Sequence, residues 1–250
     1  MILNVAAYRF VAIDDVPVVV DRVRADAVRH GLRGTVLVAP EGINLFLAGE
    51  PAAVEAFLAD LAADARFAGI VARRSWSTAV PFARLKVKAK REIITFRHDG
   101  DPLRGRAPAL APATLARWID NGRDDDGRPF VLLDTRNREE VARGTFSGAV
   151  ALPIDNFVDL PKALEARRDT LSDATVVSFC TGGIRCEKAA LWMQANGFDR
   201  VWQLDGGILG YFAQVGGHGY DGDCFVFDER VALDPLLQPV EAAEEGTRQA

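Results

Sequence analysis

Apolar and polar positions along the first 95 residues predict the order strand, helix, strand, strand, helix, strand. Residues 3–11 form an apolar run broken by only two polar positions, which is typical of a buried strand. Residues 35–39 and 43–48 are two shorter apolar runs separated by a Pro-Glu-Gly turn. The fourth strand of this part is predicted at residues 70–72.

Two amphipathic segments between these strands predict helices. Asp15 is expected to cap the first helix, with Pro17 in its first turn, and Pro51 is expected to begin the second. Each helix has one apolar face at helical spacing, formed by Val16, Val19, Val20, Val23 and Ala27 in the first and by Val54, Phe57, Leu58 and Leu61 in the second. The resulting β-α-β-β-α-β order is the ferredoxin-like α+β pattern, which serves many functions and identifies none.

A period-two alternation of basic and apolar residues follows at residues 84–90. It predicts a strand with one cationic face, which Ile93, Ile94 and Phe96 are expected to continue after a turn. Residues 98–111 are rich in Gly, Pro and Arg and are predicted to be a linker. The first domain is therefore expected to span residues 1–97.

Apolar strands alternate with helices from residue 112 to residue 216, the predicted second domain. Strands are expected at 130–134, 149–152, 175–179 and 201–204, and helices at 115–121, 139–143, 155–167, 187–196 and 208–214. This alternation predicts an α/β domain with a central parallel sheet, whose active site lies at the carboxyl ends of the strands. Residues 217–250 are expected to be a C-terminal segment ending in a flexible acidic tail after residue 240.

Length, composition and charge narrow the class of protein. A chain of 250 residues suits one large domain or two small ones, and no apolar run approaches the ~20 residues of a membrane span. Three cysteines without regular spacing fit a reducing cytoplasm better than a disulfide framework. Although the net charge of the chain is −5, the segment from Arg66 to Arg106 is basic, with eleven Lys and Arg and three acidic residues. Such a block is expected either for a polyanionic partner or for a solvated strand face.

Cys180 opens the string Cys-Thr-Gly-Gly-Ile-Arg-Cys between a predicted strand and a predicted helix. Gly182 and Gly183 allow the backbone to curl so that its N–H groups point inward. The start of the helix adds unpaired donors and the positive end of its dipole, and both favour an ionised thiol. We therefore expect Cys180 to be a nucleophile or persulfide carrier, stabilised by the loop residues Thr181, Gly182, Gly183, Ile184, Arg185 and Cys186.

The length of this loop argues against phosphate as its guest. Four residues separate Cys180 from Arg185, one fewer than in the Cys-x5-Arg loop of cysteine phosphatases. A shorter ring of N–H groups suits a smaller guest, such as a terminal persulfide sulfur. No general acid stands at a recognisable spacing for phosphatase or arsenate reductase chemistry.

Several side chains near the loop have two possible roles. Arg185 points either inward at an anionic substrate or outward to a carboxylate that holds the loop. Cys186 either resolves an oxidised Cys180 or is a small packed residue at the helix start. Asp134, Arg136 and Glu140 are expected to brace the fold by ion pairs. The histidines, His98 and His218 among them, have no partners at ligand spacing, so we expect no metal site.

Four segments in order make residues 112–216 resemble a rhodanese domain. They are Leu133-Asp134-Thr135-Arg136 with Glu140, Gly144 to Ala149, the Cys180 loop, and Leu204 to Ile208. The extended signature from Cys180 to Ala189 resembles one rhodanese subfamily, the tRNA uridine hydroxylases. Three further elements of that subfamily have counterparts here, namely Glu41-Gly42-Ile43-Asn44, the strand Leu85 to Lys88, and Phe225 to Arg230. The cysteine-rich, metal-binding extension of longer members is missing, which again predicts no metal.

The resemblance implies oxygen-dependent conversion of the wobble uridine of tRNA to 5-hydroxyuridine, by a cytoplasmic enzyme with Cys180 as its reactive group. It implies tRNA and molecular oxygen as partners, and we expect no cofactor. A weaker expectation assigns tRNA binding to the basic strand, through Arg84, Lys86, Lys88, Lys90 and Arg91. The main alternative is a sulfurtransferase that uses a small sulfur donor, thiosulfate or a persulfide. A rhodanese fold used only as a binding scaffold is the third possibility.

Overall fold

The computed structural model describes residues 1–98 and 101–240, and its first half is a five-stranded sheet with two helices. The strand order is β4-β1-β3-β2-β5, with β5 parallel to β2 and the other neighbours antiparallel. The elements are β1 (Ile2–Phe10), α1 (Val16–Arg29), β2 (Arg33–Ala39), β3 (Gly42–Gly49), α2 (Pro51–Ala62), β4 (Ala72–Ser77) and β5 (Leu85–Ala89). The predicted β-α-β-β-α-β order is confirmed, although β4 begins later than expected.

The predicted apolar faces of α1 and α2 form the core of this half. Val19, Val20, Val23 and Ala27 of α1 are buried together with all four predicted residues of α2. The predicted cap of α1 is wrong, because the Asp15 side chain makes no capping hydrogen bond and pairs instead with Arg66. Burial of the apolar faces, rather than the cap, accounts for the placement of these helices.

The basic strand is confirmed as β5, but its predicted continuation is not a strand. Residues after Lys90 follow an irregular path in which Ile93 and Phe96 are nevertheless buried. Carboxylates supply the acceptors that a partner strand would have offered: Glu41 accepts the Ile93 amide, and Glu92 accepts the Phe96 amide. These two amides are thereby satisfied without a sixth strand.

The second half is built on five parallel strands in the order β6-β11-β10-β7-β9. These strands are β6 (Ala109–Leu110), β7 (Phe130–Asp134), β9 (Val150–Ala151), β10 (Thr175–Phe179) and β11 (Val201–Leu204). Its helices are α3 (Pro112–Asn121), α4 (Arg138–Val141), α5 (Leu160–Glu165), α6 (Arg168–Ser172), α7 (Ile184–Ala195) and α8 (Gly207–Val215). Separate apolar clusters cover the two faces of the sheet, as expected of a buried parallel sheet.

The long helix predicted at residues 155–167 is wrong in extent. The segment begins with a 3-10 turn at Phe157–Asp159, continues as the short α5, and is followed by α6, which the sequence pattern did not predict. Pro161 lies at the start of α5, where its missing N–H costs no helical hydrogen bond.

One short β ribbon attaches the C-terminal segment to the second half and another lies within that segment, and neither was predicted. The strand β8 (Gly144–Phe146) pairs with β12 (Tyr220–Gly222), and β13 (Cys224–Phe225) pairs with β14 (Ala232–Leu233). Phe146 is fully buried and meets three aromatic rings edge-on, those of Phe179, Tyr211 and Tyr220. The predicted tail, 241–250, lies outside the described residues. Nowhere in 1–98 or 101–240 is a helix sufficiently long and apolar to span a membrane.

Candidate active site

The candidate site lies where the central strand β10 ends and α7 begins. Cys180 is the first residue after β10, at the carboxyl edge of the parallel sheet. Gly183 precedes α7 with φ of 101°, a conformation that favours glycine, and its N–H points at Cys180 Sγ from 3.2 Å. Only 1% of Cys180 is exposed, and the residue is part of the wall of a cleft.

The surroundings of Cys180 favour the thiolate despite its burial. Burial alone raises the pKa of this thiol, but a hydrogen bond from the Cys186 side chain and the charge of Arg185 act in the opposite direction. The Gly183 amide donates to the sulfur, and the amide of Cys186 acts in the same direction on its charge; together these groups lower the pKa of Cys180 to about 5. The Gly183 amide is thus a predicted loop amide that contacts the sulfur directly.

The guanidinium of Arg185 is paired with a carboxylate at the wall of the cleft. Its two terminal nitrogens donate to the two oxygens of Glu140, both at 2.6 Å, and both side chains are buried. Glu140 is itself fixed by the Asn137 amide in the capping box of α4. Of the two roles considered for Arg185, the geometry is that of a residue holding the loop.

Cys186 lies fully buried at the start of α7, behind the reactive sulfur. Burial and the neighbouring Cys180 raise the pKa of Cys186 well above its ordinary value, so this residue stays a protonated thiol. A protonated Cys186 can donate to the Cys180 thiolate, as the lowered pKa of Cys180 requires. Ile184, between them in sequence, packs against Ala39 and Ile93 of the first half.

The remaining predicted loop residues fix the loop to its surroundings. The Thr181 hydroxyl lies 3.4 Å from Glu140 Oε1 and 3.5 Å from the Phe225 carbonyl. Gly182 lines the cleft, where a Cβ would meet no atom within 4 Å. Thr181 thus contacts Glu140 and Phe225 on one side of the loop, and Gly182 faces the cleft on the other.

Asp134 and Arg136 brace the sheet edge beside the loop. Both are fully buried, and Arg136 Nη2 donates to Asp134 Oδ2 and to the Gly144 carbonyl, each at 2.6 Å. Thr135 donates through its amide and its hydroxyl to the Phe179 carbonyl, at 3.0 and 2.9 Å. These bonds tie the end of β7 to the end of β10, the position from which Cys180 projects.

Gly206 and Gly207 make a tight turn beside the loop. Both have positive φ, 72° and 61°. A Cβ on Gly207 would lie 2.4 Å from the Cys180 carbonyl oxygen and 2.8 Å from the Gly183 amide nitrogen. The amide of Ile208 donates to that same Cys180 carbonyl at 2.9 Å. The start of α8 therefore rests directly on the backbone of the reactive loop.

Two residues outside the second half complete the site, and sequence reasoning missed both. Glu187, one residue after Cys186, is fully buried, yet its partners are Tyr8 of β1 and Arg106 of the segment before β6. The Tyr8 hydroxyl donates to Glu187 Oε2 at 3.1 Å, and Arg106 Nε donates to Oε1 at 2.9 Å. Burial, followed by the charge of Glu187, raises the pKa of Tyr8 well above its ordinary value, so this hydroxyl keeps its proton.

The next residue, Lys188, also finds its partners in the first half. Its ammonium lies 2.9 Å from Glu41 Oε1 and 2.9 Å from Glu92 Oε1, and it donates to the Ile94 carbonyl at 3.2 Å. Glu41 begins the Glu-Gly-Ile-Asn element that the sequence comparison with tRNA uridine hydroxylases singled out. This element therefore ties the first half to the helix that carries the reactive loop.

A cleft of about 1020 Å³ lies between the two halves, with Cys180 in its wall. Tyr8 and Phe10 line it from the first half, and Gly206 lines it from the second. Eight cationic residues also line it: Arg9, Arg73, Arg74, Lys90, Arg97, Arg106, Arg185 and Arg230. Of the five residues predicted to bind tRNA, Lys90 thus lies at the cleft, whereas Arg84, Lys86, Lys88 and Arg91 are exposed along β5 and its ends.

The lone histidines have ordinary polar partners. His218 Nε2 lies 2.8 Å from Asp120 Oδ1, and His98 Nε2 lies 2.9 Å from the Val158 carbonyl. Across residues 1–98 and 101–240, no three His, Cys, Asp or Glu side chains are grouped as metal ligands would be.

Two family descriptions match the two halves. Residues 2–93 match the UPF0176 acylphosphatase-like domain, and residues 111–214 match the rhodanese-like domain. A protein of Xanthomonas euvesicatoria pv. vesicatoria named tRNA uridine(34) hydroxylase is 65% identical over 245 residues, which is 98% of this chain and 99% of that protein. The chain belongs to the tRNA uridine(34) hydroxylase family. A protein of the same name from Xylella fastidiosa is 60% identical over 241 residues, 96% of this chain and 94% of the relative.

Membership of the tRNA uridine(34) hydroxylase family confirms the resemblance drawn from the motifs. Both halves belong to it, since the identity extends from the first strand through the C-terminal ribbons. The first half is described as acylphosphatase-like, a β-α-β-β-α-β fold of the kind predicted here.

The lowered pKa of Cys180 predicts an unusual pH dependence of its alkylation. Iodoacetamide reacts with the thiolate, so the rate should be flat above about pH 6 and fall tenfold per pH unit below the pKa of about 5. Cys224, whose pKa burial raises to about 12, should stay unmodified at pH 7. Mass spectrometry of labelled peptides measures both, with Cys180→Ser as the control. A rate still rising between pH 7 and pH 9 would indicate an ordinary thiol.

Because Gly207 contacts the loop backbone, an alanine at this position is predicted to destabilise the protein more than an alanine at an uncrowded glycine position. Gly207→Ala should lower the unfolding free energy more than Gly148→Ala does, and should slow Cys180 alkylation. Both glycines have positive φ, which costs an alanine about 1–2 kcal/mol, but a Cβ on Gly148 meets no atom within 4 Å. Denaturant unfolding compares the two variants, and equal losses would contradict the predicted clash.

Proposed function

We propose that this chain hydroxylates uridine 34 of tRNA, with the Cys180 thiolate as its reactive group. The single observation that carries the proposal is the position of this thiolate, in the wall of a cleft large enough for a nucleotide, in a chain aligned along nearly its whole length with relatives named for that reaction. A cytoplasmic location and tRNA as the partner follow from the proposed reaction.

A thiolate can activate the uracil ring by adding to it. Cys180 Sγ adds to C6, the S–C6 bond forms, and the electron pair of the C5–C6 double bond moves onto C5 and O4. C5 then becomes nucleophilic toward molecular oxygen. One oxygen atom stays on C5 as a hydroxyl and the other leaves as water; the two electrons and two protons that this requires come from an external dithiol reductant, which is oxidised to its disulfide. Loss of the C5 proton and of Cys180 restores the ring.

The basic edge of the first half supports binding of the polyanionic substrate. Within residues 1–98 and 101–240, Lys86, Lys88 and Lys90 make no ion pair, and all three are exposed. Unpaired cations on an edge strand are available to phosphates, whose neutralisation releases counterions. The strand leads to the cleft, since Lys90 at its end is one of the cleft cations.

Sulfur transfer is the second candidate function. The amides of Gly183 and Cys186 around Cys180 suit a persulfide as well as a thiolate. That activity needs neither a cleft of about 1020 Å³ nor the basic strand. A thiocyanate assay with thiosulfate and cyanide separates the two functions, and we expect turnover to be low compared with hydroxylation of tRNA.

Replacing the sulfur tests the main proposal. Cys180→Ser should reduce 5-hydroxyuridine formation by more than about 10³-fold, since the nucleophile is lost. Cys224→Ala is the matched control, because it removes a buried cysteine that does not line the cleft, and it should leave activity unchanged. Mass spectrometry of nucleosides from treated tRNA measures the product. Retained activity in Cys180→Ser would end the proposal of thiolate addition.

Charge reversal on the basic strand tests its role in tRNA binding. The triple variant Lys86→Glu, Lys88→Glu and Lys90→Glu should weaken tRNA binding by roughly 10- to 100-fold at low salt, and its log–log salt dependence should be shallower by about two to three units. Alkylation of Cys180 should be unchanged. The control variant reverses three exposed cations of the second half, Arg128, Lys162 and Arg167. Equal weakening in both variants would contradict a role specific to β5.

A further inference from the structure

The segment between β13 and β14 is a tight loop that displays one aromatic ring. The amide of Val226 donates to the Val231 carbonyl at 2.9 Å and closes the loop. Within it, Arg230 Nη2 lies 2.6 Å from Asp228 Oδ2, and both of these side chains are nearly buried. Phe227 stands between these contacts with 54% of its surface exposed.

This loop is held by both halves of the molecule. Arg230 Nη1 donates to the Ser75 hydroxyl of β4 at 2.7 Å, and the Glu229 amide donates to the Pro81 carbonyl at 3.2 Å. At its other end, the Phe225 carbonyl faces the hydroxyl of Thr181 in the reactive loop. Phe227 is therefore presented on a fixed backbone, and little backbone entropy is lost when a ligand covers its ring.

The ring of Phe227 lines the same cleft as Cys180. The Arg185 guanidinium lies 5.9 Å from the centroid of the Phe227 ring. The rings of Phe225 and Phe227 pack edge to face, with 5.1 Å between their centroids. Arg185 also acts on the charge of Cys180, so the ring lies one side chain away from the reactive sulfur. Nothing within residues 1–98 or 101–240 covers the exposed part of this ring.

We propose that Phe227 is a stacking surface for a nucleobase of the substrate RNA. The cations that share its cleft favour a polyanion, and an unpaired base is the flat apolar group that such a polyanion carries. Thiosulfate or a persulfide has no surface that matches the ring. The proposal rests on the proposed function in taking RNA as the substrate, and it adds a residue that positions a base. The stacked base is either uridine 34 or its neighbour in the chain.

The test measures binding of an anticodon stem-loop RNA and hydroxylation by the full chain. Phe227→Ala should raise Kd and KM by on the order of tenfold, as expected for one lost base–aromatic stack. Leu236→Ala is the control, since Leu236 is exposed in the same C-terminal segment but lies outside the cleft. Unchanged alkylation of Cys180 in both variants shows that the reactive loop is intact.

Phe227→Trp allows a fluorescence measurement that RNA would not change if Phe227 had only a structural role. This variant should restore binding, and its additional tryptophan fluorescence, relative to the wild type, should be quenched by the RNA. An abasic site at position 34 should remove the quenching if uridine 34 stacks, and an abasic site at position 33 or 35 should remove it if a neighbour does.

Wild-type Kd in Phe227→Ala, or no quenching in Phe227→Trp, would overturn the stacking role even if the wild type makes 5-hydroxyuridine. Conversely, quenching by RNA with no hydroxylation by the wild type would overturn the proposed function and leave the stacking role supported. The two failures are therefore distinguishable.

Discussion

The buried ion pair between Arg185 and Glu140 determines what the reactive loop can be. A guanidinium buried beside a thiolate would be costly without a carboxylate to share its hydrogen bonds, and Glu140 meets it with two bonds of 2.6 Å. The pair fixes Arg185 against Glu140, while its charge still lowers the pKa of Cys180. The loop thus gains electrostatic support for a thiolate from a guanidinium whose position is held by a carboxylate.

A second set of charges joins this loop to the rest of the molecule. Glu187 and Lys188, adjacent residues of α7, are both buried and both find their partners outside the second half. A buried charge without a partner is strongly destabilising, so the first half is required for the helix that carries the loop to keep its charged residues. Ile184 and its apolar neighbours add a contact of the same kind. The cleft and the reactive sulfur are consequently properties of the whole chain.

The sequence was sufficient where neighbouring residues determine the structure. The order strand, Cys180 loop, helix could be predicted because the apolar run, the glycines and the helical pattern are contiguous. The same holds for the faces of α1 and α2 and for β5. Predictions failed where a distant side chain decides the outcome. Glu41, 52 positions from Ile93 in the sequence, accepts the Ile93 amide after β5, and Arg66, 51 positions from Asp15, pairs with the side chain that was predicted to cap α1.

The candidate site shows the same limit. The motif indicated Cys180 and the two alternatives for Arg185, but only the folded chain shows that Glu140 is the partner. Tyr8 is 179 positions from Glu187 in the sequence, and no local pattern relates them. Their proximity also bears on how such enzymes can arise. If residues 111–214 were fused to another protein, Glu187 would lose its partner Tyr8, and Lys188 would lose its partners Glu41 and Glu92. The rhodanese half of this chain therefore cannot be exchanged between proteins as an independent domain. Recombination that separates it from the first half would be selected against.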